Sequence, residues 1–546
     1  MFIDSASSIR NGKTYVRHLL RDSYRENGKV KHRTLANLSQ CSAEEIAAIK
    51  LALKNKGNLV DLGNIQELKT RQGMRIGAVY CLKTLAERTG LLKALGNTPE
   101  GKLALWQVLA RLIGHGSRLR AVRLAESHAA CDILGLEAFN EDHLYANLGW
   151  LSEQQESIEK RLFKQRYGDI QPQLFLYDVT SSYLEGMHNI LAAFGYNRDG
   201  KKGKMQLVIG LLEGPDGTPL AVRVFEGHTP DTQTVEEQVS VLAKSFGVSG
   251  ITLVGDRGMI KQPEIKQINA QFFHYITAIT KPQIRKLLRE GVFQMSLFED
   301  KLCEIDHEGI RYILRRNPER AKEMIGSREG KLSAVKKLLD QKNLYLLEHP
   351  RATVEVALKK VQTKIQKLQI VDWVKVAGQG SQLELEINEE VRRETGELDG
   401  CYVIKTDLPV AAATAETIHA RYRDLTLVEE AFRTFKRGLL NMQPTYVRTE
   451  ASTKGHVFVV MLAYLLQREL DKYWHELDIT VAEGIDELGS IRGIEIELQQ
   501  AAYQTVPEPT GLSQQLLAAL DIRLPKVLPL RQVHVATRKS LVRERI

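Results

Sequence analysis

The 546-residue chain has few of the features that would tie it to an oxidising compartment, a bilayer or a bound nucleotide. Its five cysteines, Cys41, Cys81, Cys131, Cys303 and Cys401, lie far apart and form no CxxC pair. That excludes both a zinc-finger spacing and a disulfide framework, and makes a reducing cytoplasm the simplest setting. Met1-Phe2-Ile3-Asp4-Ser5 lacks the basic and apolar regions of a secretion signal. The longest apolar run, Val457 to Leu466, has ten residues, too few to span a membrane, and reads as a buried helix. No repeat or low-complexity tract stands out. The stretch Gly195 to Lys204 is rich in glycine and lysine, but it lacks P-loop spacing and a Ser/Thr after its lysines. A nucleotide cofactor is therefore not expected, and contact with a DNA backbone is the alternative role for this loop.

What is present is a folded chain of several domains, 43% hydrophobic and 26% charged. Lys and Arg number 76 against 67 Asp and Glu, a net charge of +9 that leans towards polyanionic partners. Residues 13–38 alternate around an Asn27-Gly28 turn and predict a β-hairpin carrying Arg17, Arg21, Arg25, Lys29, Lys31 and Arg33. Such a basic ribbon is either a solvated sheet face or a phosphate contact. Ser42-Ala43-Glu44-Glu45 is a capping box that opens a helix. Residues 75–165 read as helical throughout, with a break at Gly114-His115-Gly116-Ser117 followed by Arg118, Arg120 and Arg123. This is either a DNA-reading element or a basic helical bundle. Apolar runs at 174–179, 205–212, 219–225, 251–255 and 273–279 predict strands. Helical patterns at 232–246 and 262–270 separate the last three, so the class is α/β with a mixed sheet. Segment 351–369 is basic, a strand-like stretch covers 371–387, and a long helix begins near residue 415.

Three acids stand in settings that suit a metal ligand. Asp178 ends the run Leu174-Phe175-Leu176-Tyr177, and Asp256 ends Ile251-Thr252-Leu253-Val254-Gly255. Taken singly, each reads equally as a turn Asp. Both end strands of one predicted sheet, however, and open α/β sheets bind ligands beyond the carboxyl ends of their strands. On the downstream helix, Leu425, Val428, Phe432, Phe435 and Leu439 share one face at 100° per residue. Tyr422, Glu429 and Lys436 recur every seven residues along its edge, with Arg433 one turn beyond Glu429. Glu430 points about 100° further round, towards solvent, which favours Glu429 as the ligand. The competing reading is a surface stripe with a Glu429–Arg433 pair. His228 reads as a turn residue near the site, and Lys281 as either a solvent-facing or a DNA-contacting lysine.

These residues resemble the DDE transposases of bacterial insertion sequences, specifically the insertion-sequence-four superfamily with its Tyr-x2-Arg-x3-Glu-x6-Lys signature. Tyr422, Glu429 and Lys436 match that signature, whereas Leu425 stands where the family has Arg. Tyr177-Asp178-Val179-Thr180, Val254-Gly255-Asp256-Arg257-Gly258, Val428-Glu429-Glu430-Ala431-Phe432-Arg433 and Gly455-His456-Val457-Phe458 extend the likeness over roughly 170–470.

The resemblance implies an RNase H-like mixed sheet of five strands flanked by helices, with Asp178 on the first strand and Asp256 just after the fourth. It implies an α+β insertion before Glu429. Asp178, Asp256 and Glu429 would be catalytic and would hold two Mg²⁺ ions, with Mn²⁺ able to substitute. Tyr422 and Lys436 would contact DNA, with Arg433 or Arg423 standing in for the missing arginine. The activity implied is cut-and-paste transposition on double-stranded DNA, both transposon ends and target, by a homodimer in a synaptic complex. No membrane or nucleotide cofactor takes part, and the setting is a bacterial cytoplasm at the nucleoid. Alternatives are a non-catalytic DNA-binding protein derived from a transposase, or an RNase H-like nuclease without strand transfer. The expected layout is a hairpin and short helix (1–65), a helical DNA-end-binding region (66–165) and the first part of the core (166–282). An insertion (283–405), the Glu helix with the helix after it (406–475), and a tail for dimerisation or DNA contact (476–546) complete it.

Overall fold

The computed structural model describes residues 1–10, 13–26, 28–54, 69–168, 170–196, 198–257, 259–260, 265, 268, 273–498, 501–528, 533 and 535–538. The chain forms two compact units. The first holds residues 1–73, 493–507 and 526–528. Its N-terminal strands Phe2–Arg10, Lys13–Glu26 and Lys29–Asn37 make an antiparallel sheet, one strand more than the expected hairpin. Ser42 opens the helix Ala43–Lys54 as a capping box. The Glu45 amide donates to Ser42 Oγ at 3.2 Å, and the Ser42 amide donates to Glu45 Oε2 at 2.7 Å. A second small sheet joins Lys69–Arg75 to Arg492–Leu498 and Ala501–Thr505, so part of the expected tail belongs to a sheet.

The second unit is built on a mixed sheet of eight strands. In chain order they are β1 (Leu174–Tyr183), β2 (Gln206–Glu213), β3 (Pro219–Phe225), β4 (Thr252–Gly255), β5 (His274–Ala278), β6 (Cys303–His307), β7 (Ile310–Arg316) and β8 (Cys401–Thr406). Their spatial order is β6-β7-β8-β5-β4-β1-β2-β3. β1, β2 and β3 meander antiparallel, while β4 and β5 run parallel to β1. The five predicted strands are all present. The sheet is wider than expected because β8 pairs antiparallel with β5, and β7 and β6 follow it. Much of the expected insertion therefore extends the core sheet. What remains outside it includes the helices Pro318–Glu348 and Val354–Lys367 and a two-stranded hairpin, Val374–Gln379 with Gln382–Ile387, around their own buried cluster.

β1 is central and buried on both sides, which is why Leu174-Phe175-Leu176-Tyr177 is an unbroken apolar run rather than an alternating one. One face packs Phe175, Tyr177 and Leu253 with Phe163 of helix α1 (Glu141–Tyr167). On the helix-bearing side, α2 (Ala415–Arg423) and α3 (Leu425–Lys436) approach the sheet, α3 against β1. α3 buries Leu425, Val428, Phe432 and Phe435, as its periodicity predicts. The expected single helix from 415 is two, divided at Asp424, so Tyr422 lies on the helix before Glu429 rather than on the same one. Helix α4 (Glu450–Trp474) carries the Val457–Leu466 run, which is wholly buried, against α1, β3 and the helix Pro99–Ile113. Among the described residues no helix is long and apolar enough to cross a membrane.

The helical stretch expected over 75–165 is there as several separate helices. Arg118, one of the three basic residues after the Gly114 break, is buried and donates to His456 Nδ1 at 2.8 Å, so it ties helices together, while Arg120 and Arg123 remain exposed. The helical pattern at 232–246 is the helix Asp231–Ser240 continued by a wider turn, Val241–Ser245. The expected helix at 262–270 and the Asn27 half of the hairpin turn lie outside the described residues, apart from Ile265 and Ile268, both helical and buried.

Candidate active site

The strand register brings the first two acids together. Tyr177 of β1 stands opposite Gly255 of the parallel strand β4. Asp178 is the next residue of β1 and Asp256 follows Gly255 just past the end of β4, on neighbouring strands about 4.8 Å apart. α3 packs against β1 and turns Glu429 to the same place. Asp178, Asp256, Glu429, Arg433 and Lys436 line one open cleft of about 660 Å³. Glu430 is exposed and does not line it. Among the described residues Glu429 and Arg433, both exposed, form no ion pair with each other.

The electrostatics of the cleft centre on Asp178. Burial pushes its carboxyl up to about 7, and the charges of Asp256 and Glu429 push the same way. The Val179 amide, donating to Oδ1 at 2.7 Å, and the charge of Arg198 oppose that shift only in part. Three carboxylates therefore share one cleft, whose wall also carries Arg198, Arg433, Lys436 and Arg437. Tyr422 donates its hydroxyl proton to Asp256 Oδ1 at 3.2 Å, although it does not itself line the cleft. Lys436 lies inside the cleft and pairs with Asp199 at 2.7 Å. Gln443 donates to the other Asp199 oxygen, also at 2.7 Å.

Asp199, with Arg198 and Asp231, was not singled out in the sequence. Arg198 bonds Asp231 Oδ1 at 2.6 Å, and all three residues line the cleft. The available signal was the loop 195–204, whose glycines and lysines suggest a DNA-backbone contact and do not single out Arg198 or Asp199. The Arg-Asp pair inside it is what reaches the acids. His228 stands apart from the cleft, its side chain 63% exposed and 3.5 Å from Glu226. Lys281 approaches buried Asp399 at 3.8 Å and lines a different cavity.

Hard oxygen donors on three elements, mutually repelling around a half-buried carboxyl, are a donor set suited to a divalent cation. Among the described residues no three His, Cys, Asp or Glu side chains are gathered tightly enough to form a ready-made metal cage. The acids share a cleft rather than a point.

The transposase DDE domain matches residues 171–466, and the N-terminal domain of IS1634 family transposases matches residues 3–61. Among solved structures, the piggyBac transposase synaptic complex with hairpin DNA is similar at 9% identity, covering 76% of each chain with a TM-score of 0.36. A comparison with curated proteins gives no match. The chain belongs to the DDE transposases, with the N-terminal domain of the IS1634 family.

Proposed function

We propose that the chain moves an insertion sequence by cut-and-paste transposition, with Asp178, Asp256 and Glu429 as the catalytic and metal-holding residues. The observation that carries this reading is the convergence of the three acids, from two adjacent parallel strands and one helix, on a single cleft. The order of β1 to β5, three antiparallel strands followed by two parallel ones, supports an RNase H-like core inside the wider sheet.

Two Mg²⁺ or Mn²⁺ ions held by the three carboxylates would lower the pKa of an attacking water or DNA 3′-hydroxyl and stabilise the leaving oxygen. The protein's own residues do the rest. β1 and β4 hold Asp178 and Asp256 on a rigid base, and the Tyr422 hydroxyl fixes the Asp256 carboxylate. Asp178 sits near 7, so it is poised to lose its proton when positive charge enters the cleft. Arg433, exposed at the cleft wall, is placed to contact a phosphate of the bound strand. Lys436 does so once it exchanges Asp199 for phosphate. Leu425 is buried, so the family's arginine has no counterpart at that position, and Arg433 is a cation on the same helix that lines the cleft. The bound partners are transposon ends and target DNA, held by a dimer of this chain.

The test is cleavage of a plasmid carrying the element's ends. Asp178→Asn and Glu429→Gln should each lower cleavage by about 10³-fold or more while end binding stays within a few-fold. Full cutting by either variant would overturn the assignment. A strand-transfer product distinguishes transposition from simple hydrolysis.

A further inference from the structure

A second cavity, of about 620 Å³, opens at the ends of β4 and β5. It is in the size range that encloses a small organic group. Its wall is built partly by the strands that widen the sheet: Arg315 comes from β7 and Tyr402 from β8. Arg320 comes from the start of the helix after β7, and Arg423 from α2. Arg257, next to Asp256, and Lys281, after β5, complete the set of cations. Five cationic side chains line the cavity, and among the described residues no Asp or Glu does.

Three of the five have partners outside the wall. Arg315 meets Asp300 at 3.2 Å, Arg320 meets Glu323 at 2.6 Å, and Lys281 reaches Asp399, which Arg328 also binds. Arg257 and Arg423 have no ion-pair partner among the described residues, and both are exposed to the cavity. The remaining polar wall is neutral. His419 Nε2 shares a hydrogen bond with the Tyr402 hydroxyl at 2.6 Å, and burial with the charges of Arg315 and Arg423 holds its ring below the usual histidine range. The positive charge here is therefore fixed arginine and lysine charge. The cavity also adjoins the carboxylate cleft, because Tyr422 lines it and bonds Asp256.

We propose that this cavity binds the phosphodiester backbone of a DNA strand that continues past the carboxylate cleft, with Arg257 and Arg423 as its phosphate contacts. A guanidinium offers several fixed donors to a phosphate, and two without internal partners lose nothing when they turn to one. A strand held at the acids must pass one side of Tyr422 or the other, and the basic cavity is on that path. The charge that the family places at position 425 is thus supplied from the neighbouring cavity. The inference rests on the reading of the chain as a DNA strand-cutting enzyme.

The experiment measures binding of a fluorescein-labelled single-stranded dT20 to the full chain over a range of salt, without cleavage. The variant is Arg257→Gln/Arg423→Gln. Lys359→Gln/Lys360→Gln, at exposed positions of the helix Val354–Lys367, is the control for equal loss of charge. Both should melt with the parent. The cavity variant should bind about ten-fold more weakly, and its salt slope should fall by about 1.4, the value for two lost phosphate contacts on a single strand. Arg257→Lys/Arg423→Lys should recover part of the affinity. Equal loss in the cavity and control variants would overturn the proposal. It would also be overturned if inorganic phosphate raised the parent's melting temperature but not the cavity variant's while dT20 affinity was unchanged, since the cavity would then hold a free anion. The carboxylate assignment fails separately, through cleavage by Asp178→Asn.

Discussion

The carboxylate cleft and the basic cavity are neighbours joined by one hydrogen bond, from Tyr422 to Asp256, yet they carry charge in opposite ways. The cleft gathers an acid from the middle of β1, which runs on to Tyr183 rather than ending at Asp178 as expected, with one just past β4 and one on α3, and Asp178 is forced up to about 7. The cavity gathers arginines on a turn and on helix ends, where Arg257, Arg320 and Arg423 stay exposed. A desolvated charge is costly until an opposite charge arrives, whereas a solvated one waits at little cost. The cleft is thus built to demand a cation, and the cavity to offer charge to a passing polyanion.

The largest difference between the two should appear in stability. The Asp178 carboxyl titrates near 4 in an unfolded chain and near 7 in the folded one, so between those values the folded state holds the proton more tightly. Metal-free protein should therefore lose stability as pH rises from 4 to 7. Asp178→Asn, which cannot ionise, should be more stable than the parent at pH 8 by up to about 4 kcal/mol. Arg423→Gln should change stability by less than about 0.5 kcal/mol at any pH. Thermal melts in EDTA compare them, and a destabilised Asp178→Asn would break the contrast.

Next in size is an attempt to move a cavity-like charge into the core. Leu425 is 7% exposed on the packed face of α3. Leu425→Arg should cost on the order of 3 kcal/mol and should not strengthen DNA binding. A stable variant with tighter DNA binding would show that the family's arginine site is still open here.

The two regions should also separate by pH. At limiting Mg²⁺, cleavage should fall about ten-fold between pH 8 and pH 6 as Asp178 takes up its proton, and the midpoint should move lower as Mg²⁺ is raised. Binding of dT20 should change far less over the same range, because the cavity's cations are Arg and Lys and its His419 is held below the usual histidine range. Smallest is the link itself. Tyr422→Phe should lower cleavage about five-fold with unchanged dT20 affinity, since it removes one hydrogen bond to a carboxylate and no cation.

Much of this was legible in the chain. The apolar runs gave β1 to β5 within a residue or two at most ends, because each is an uninterrupted local signal bounded by turn residues. The choice of Glu429 over Glu430 followed from helical geometry alone, and the cleft includes the former and not the latter. The burial of Leu425 followed from the same wheel. The division at Asp424 was hidden because Asp424 keeps helical dihedrals, φ −61° and ψ −14°, so the periodicity runs on almost unbroken.

What periodicity could not give was pairing between distant segments. β8 joins β5 across more than a hundred residues of chain, and no local pattern in Cys401–Thr406 says which edge it will meet. The basic cavity depends on that pairing, so it was invisible: Arg423 stood out only as a substitute for the missing arginine, Arg257 only as part of a short motif, and Arg315 not at all. The Asp199 contact with Lys436 was missed for the same reason, since 237 residues separate the pair.

The central claim is that Asp178, Asp256 and Glu429 act as one metal site although they approach it from separate elements. The direct measurement is Mn²⁺ binding by electron paramagnetic resonance, for the full chain with bound DNA, in the parent and in Asp178→Asn, Asp256→Asn and Glu429→Gln. Each variant should bind Mn²⁺ at least about ten-fold more weakly than the parent, with folding intact. Unchanged Mn²⁺ affinity in all three would contradict the account.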